Sequence, residues 1–125
     1  MSRKELFKQL NRLCEELNYK YNINCGGCCY VAAVLAEQFE LHNIPFTVIH
    51  YNECSCHYAI KVSDRYINRD DFRKKEISEY LDWSSSDLFE VYNDGDWNKC
   101  YSTRHNSTVR KSIVKVFNKY ENRRA

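Results

Sequence analysis

The stretch Asn22-Ile23-Asn24-Cys25-Gly26-Gly27-Cys28-Cys29-Tyr30-Val31-Ala32-Ala33 decides how this chain is read. A glycine pair closes a segment with no hydrophobic periodicity, and an apolar run starts directly after it. Val31, Ala32, Val34, Leu35, Phe39 and Leu41 cover much of a helix circumference. The segment from Cys28 to about His42 is therefore predicted to be a helix buried on most sides. Asn43 suits its C-terminal cap, and Pro45 forbids continuation. Cys28 then stands at the head of a buried helix. The partial positive charge and free amides of a helix start favour a reactive thiolate and can hold an oxyanion. Gly26 and Gly27 let a substrate come close to the backbone.

Outward from that helix the chain has readable neighbours. Leu6, Leu10, Leu13 and Leu17 recur at helical spacing, with Phe7 and Cys14 widening the stripe, so residues 3–18 read as an amphipathic helix. Ser2 and Glu5 have the spacing of a capping box. Asn18 to Gly27 reads as a loop. Residues 46–51 are rich in β-branched and aromatic side chains and read as a strand. Residues 57–62 alternate as a second strand, and Ser63-Asp64 turns it into a third over 65–68. A short helix over 75–81 and a last amphipathic helix over about 107–121 complete the reading. The order of elements is that of an α+β protein.

The chain has 125 residues, 43% apolar and 29% charged, with three Gly and one Pro. These values fit one globular domain over residues 1–125 and exclude collagen-like or linker-type sequence. No apolar run approaches the roughly 20 residues that cross a bilayer, and the N-terminal residues lack a signal-peptide pattern. The expectation is a soluble, cytoplasmic protein with no membrane partner. The net charge of +2 hides a basic C-terminal segment: from Lys99 onward there are eight Lys/Arg and one Glu. Such a run suits the solvated face of a terminal helix, and no nucleic-acid signature accompanies it, so nucleic acid is not the expected partner. Seven cysteines cannot all pair with one another, and cytosolic thiols stay reduced.

A thiol nucleophile needs a base, and the base needs an orienting group. His57 opens a predicted strand. Asn68 ends the next strand, at the same end of the hairpin. Asp70 and Asp71 are alternative orienters, and His50 is a spare base. Cys14 and Cys29 read as packing residues, and His42 and His105 as solvated surface groups. Cys100 has no readable role.

The quoted residues resemble a known superfamily. Cys25-Gly-Gly-Cys28-Cys-Tyr-Val-Ala looks like the nucleophile segment of papain-like peptidases, in which the second cysteine attacks. Asn22 falls where those enzymes carry the Gln side chain of the oxyanion hole. Gly26-Gly-Cys28-Cys-Tyr-Val-Ala32-Ala-Val-Leu35, then Asn43-Ile44-Pro45, then His57-Tyr-Ala-Ile-Lys-Val62, and finally Tyr66-Ile67-Asn68 follow the order of the transglutaminase-like superfamily. Asn43 replaces the usual Gly, and Asn68 replaces the commoner Asp. The resemblance covers roughly residues 22–70. It implies a papain-like/transglutaminase-like fold, with a central nucleophile helix on a small antiparallel sheet. It implies a cysteine-dependent peptidase or amidase, or a transferase, with a Cys28-His57-Asn68 triad. Asn22 and the Cys28 amide would form the oxyanion hole. The substrate would be a peptide, protein or amide, and no cofactor is called for.

Two other readings stand beside it. Cys25, Cys28, Cys54 and Cys56 offer soft ligands in two clusters, as in a zinc-stabilised binding module. A catalytically inactive relative that keeps the fold and binds peptide or nucleic acid is the third.

Overall fold

The computed structural model describes residues 1–51, 57–69, 78–95 and 103–124. Among these residues, four helices and a four-stranded antiparallel sheet make an α+β fold. Helix α1 spans Arg3–Tyr21 and α2 spans Cys28–Leu41. Strands β1 (Thr47–Tyr51), β2 (His57–Val62) and β3 (Arg65–Ile67) follow, then β4 (Ser78–Leu81). Helix α3 (Ser85–Asp94), a 3-10 turn (Thr103–His105) and α4 (Asn106–Arg124) complete the order. The sheet order is β3-β2-β1-β4.

Helix α1 begins at Ser2, whose hydroxyl accepts from the Glu5 amide at 3.1 Å. It runs a turn beyond the expected end and stops at Asn22, which adopts a left-handed conformation with φ 55°. Asn is one of the few non-glycine residues that tolerates this. Helix α2 ends at Leu41 with His42 at the cap; Asn43, expected there, follows one residue later, left-handed at φ 55°, and Pro45 lies just beyond.

Alternation along the strands sorts the sheet into two faces. Val48, Tyr58, Ile60, Val62 and Ile67 join the main core with α1, α2, α4 and Leu88 of α3. Ile49, Tyr51 and Ala59 form a second cluster on the opposite face, with Tyr66 against it. All four helices thus share one core with one face of the sheet. Helix α2 lies in the middle: eleven of its fourteen residues are buried, so the core is built around the apolar run that follows the glycine pair.

Two parts of the fold differ from expectation. Residues 78–81 form β4, paired with the outer edge of β1, rather than the end of a helix; residues 75–77 lie outside the described residues. Four residues are too few for a helix to gain more from its own hydrogen bonds than a strand gains by pairing along an open sheet edge. Helix α3 was not expected at all. Its signal is Ser84 and Asp87, a reciprocal capping box in which Ser84 accepts from the Asp87 amide and Asp87 accepts from Ser84. Those bonds from Ser84 hold the Asp87 carboxyl below the usual carboxylate range. No helix among the described residues is long and apolar enough to cross a membrane.

Candidate functional site

The site grows from the connection between α1 and α2. Asn22 ends α1, and its carbonyl accepts from the Cys25 amide at 3.0 Å. Gly26 follows at φ 103°, where a Cβ would clash. Gly27 sits at the cap of α2, and no side chain caps that helix. The amides of its first turn are therefore not taken by a capping side chain. Cys28 is the first residue of α2 and is 0% exposed.

Chain direction then brings the other residues to this end of the molecule. Helix α2 packs on β2, and a five-residue connection, residues 42–46, returns the chain into β1. Fourteen helical residues rise about 21 Å and five extended residues about 17 Å, so the two elements nearly match in length. The start of α2 thus lies toward the end of β1, where Tyr51 pairs with His57 at the start of β2.

His57 is 1% exposed and shares the sheet face of its cross-strand partner Tyr51, with ring centroids 5.8 Å apart. Its Nε2 lies 2.7 Å from the main-chain carbonyl oxygen of Asn68. A carbonyl can only accept, so in the neutral ring Nε2 carries the proton and Nδ1 carries the lone pair. The sequence reading placed the Asn68 side chain in this role, and the main chain takes it instead. Asn68 stands just past β3 at φ 61°, a left-handed conformation that turns its carbonyl toward the ring. Its side-chain Nδ2 donates to Asn24 Oδ1 at 3.1 Å. Asn24 is four residues before Cys28, and its own amide donates to Asn18 Oδ1 at 3.0 Å. The orienter of His57 is thereby tied to the loop that carries the cysteine.

The remaining candidates separate. The Asn22 side chain is exposed and makes no hydrogen bond among the described residues, so its observed part is the backbone turn that ends α1. His50 lies on the helix-facing side of the sheet, stacked on Tyr58 at 4.7 Å, with Nδ1 3.6 Å from the Glu79 carboxylate. Cys29 points to α3 and donates to the Leu88 carbonyl at 3.3 Å. Cys14 is buried on α1. His42 is not a solvated group: its Nδ1 is 2.8 Å from Glu121, and its ring stacks on Phe117 at 5.4 Å. His105 lies against Tyr21, with ring centroids 4.5 Å apart.

Cys54, Cys56, Cys100, Asp70 and Asp71 lie outside the described residues, so two of the four thiols of the zinc set and both acidic orienters lie there, while Cys25 and Cys28 are described. Among the described residues, no three His, Cys, Asp or Glu side chains gather as a metal site. Sequence reading missed Asn11, Asn18 and Asn24. Their signal was faint: Asn11 and Asn18 sit inside a helix, where asparagine competes with the backbone and is disfavoured unless its amide is used elsewhere, and Asn24 sits in a turn, where asparagine is common. No family model, characterised protein or solved structure matches this chain.

Proposed function

We propose that the protein is a cysteine-dependent acyl-transfer enzyme of papain-like/transglutaminase-like type, acting on a peptide or another amide. Cys28 is the nucleophile and His57 the base. Nδ1 of His57 takes the thiol proton as sulfur attacks the substrate carbonyl, and the first-turn amides of α2 hold the developing oxyanion. The resulting imidazolium protonates the leaving amine, which departs and leaves a thioester on Cys28. Water, deprotonated by His57, then releases the acid and restores the thiol; an amine in its place makes the same step a transfer. Asn68 orients the ring through its carbonyl.

The observation that supports this reading is the 2.7 Å bond between His57 Nε2 and the Asn68 carbonyl. It leaves Nδ1 as the basic nitrogen at the end of the sheet toward which α2 begins. Cys28 is 0% exposed, so labelling and acylation both require its sulfur first to become accessible.

The test is site-resolved labelling of the native protein by iodoacetamide, followed by mass spectrometry. Cys28 is expected to react first, and His57→Ala is expected to slow it about a hundredfold. Equal labelling of Cys25 and Cys28, or a Cys28 rate unchanged by His57→Ala, overturns the proposal.

A further inference from the structure

The carbonyl that orients His57 belongs to a residue in an unfavourable backbone conformation, and something must hold it there. Asn68 is 6% exposed with φ 61°. A left-handed conformation is unfavourable for a residue with a Cβ, less so for asparagine than for most. Two side chains from distant parts of the chain meet it. Asn24 accepts from its side chain at 3.1 Å, and Asn11 Oδ1 accepts from its main-chain N–H at 2.9 Å.

Asn11 lies in the middle of α1, outside every motif that suggested a function. Its amide is used at both ends: Oδ1 accepts from Asn68 N–H, while Nδ2 donates to the Tyr66 carbonyl at 2.7 Å. These are the donor and acceptor that β3 presents on its outer edge, and the one amide answers both as a neighbouring strand would. The pairing also fixes which way the amide faces, because the flipped form would set N–H against N–H and oxygen against oxygen.

We infer that Asn11 is a positioning residue for His57: by pinning the Asn68 amide from α1, it fixes where the Asn68 carbonyl points and hence which ring nitrogen carries the proton. In this sense α1 is part of the site. The inference gives the histidine of the proposed function its support, but its readout does not depend on catalysis.

The experiment follows the His57 tautomer by NMR of the full chain with 15N-labelled histidine, raising the pH until the ring is neutral. The wild-type protein is expected to hold the Nε2–H form. Asn11→Ala is expected to give a mixture of tautomers and to slow Cys28 labelling about tenfold. Asn68→Gly keeps the carbonyl and enters the left-handed region freely, so it is expected to keep the Nε2–H form; Asn68→Ala is expected to lose it. A folded Asn11→Ala with the wild-type tautomer overturns the inference, as does an Asn68→Gly protein that loses it. If Asn11→Ala does not fold, Asn11→Asp decides. It keeps an acceptor for Asn68 N–H, so retention of the Nε2–H form supports the inference and its loss refutes it. Failure of Cys28 to label in the wild-type protein would remove the enzymatic reading and leave the tautomer result standing.

Discussion

Cys14 shows how much a thiol depends on where the chain puts it. It lies on the buried stripe of α1 at 2% exposure, and burial, with Glu15 beside it, pushes its thiol from the ordinary 9.0 up to about 12. The folded state therefore keeps a proton that the unfolded chain gives up. The associated stability is fully present below pH 9.0 and is lost as the pH rises toward about 12. Alkaline unfolding monitored by circular dichroism is expected to be shallower in Cys14→Ala over that range. Native protein at pH 8 is expected to leave Cys14 unmodified by iodoacetamide, because its thiol stays protonated there; rapid labelling would contradict that upward push. The assignment of Cys14 to packing was legible, because the residue falls on a leucine stripe. The orienting atom at Asn68 was not, since residue type says nothing about whether a side chain or a main chain faces a ring.

At the scale of elements, the helices support one another through their ends. Near the C-terminus of α2, Glu40 reaches the start of α3, where it accepts from Ser85 N–H at 2.8 Å and from Ser85 Oγ–H at 2.7 Å. A carboxylate there satisfies a first-turn amide and meets the positive end of α3. Glu40→Ala is expected to cost about 1 kcal/mol in a urea titration, the usual scale of a lost cap. The charged pair between Arg110 of α4 and Glu37 of α2 is half-exposed and contributes less, at most about 1 kcal/mol. Helices α1, α2 and α4 and strands β1 to β3 were legible because each carries its own period and its own stop signals. Strand β4 was not, because four residues hold too little pattern and their state depends on the open edge of β1.

At the scale of the whole molecule, α4 closes the core that α2 begins. Phe117 is 0% exposed and meets Phe39 edge-on at 5.2 Å, while Phe39 packs in turn on Phe7 at 6.2 Å. One aromatic line thus runs from the last helix through the central one to the first. Phe117→Ala removes the buried ring at the α4 end of that line and is expected to cost about 3–5 kcal/mol by urea denaturation. A loss below about 1 kcal/mol would mean that α4 is not closing the core. The basic side chains of α4 lie mainly on the face away from this line, which is why a strongly charged sequence could still supply a core helix.

Local pattern alone was enough for the cysteine at the head of a buried helix, the strand that starts at His57, and the turn that brings Asn68 back beside it. Helical and strand periods, glycine punctuation and the stop at Pro45 all act over a few residues, so they can be read along the chain. The tertiary structure decided how those pieces serve the histidine. Asn11 and Asn68 are 57 residues apart, and only packing of α1 along the edge of β3 lets an amide from one hold the backbone of the other. A side-chain hydrogen bond needs its partner within about 3 Å, and positions that far apart in sequence reach that distance only once the core has set the elements against each other.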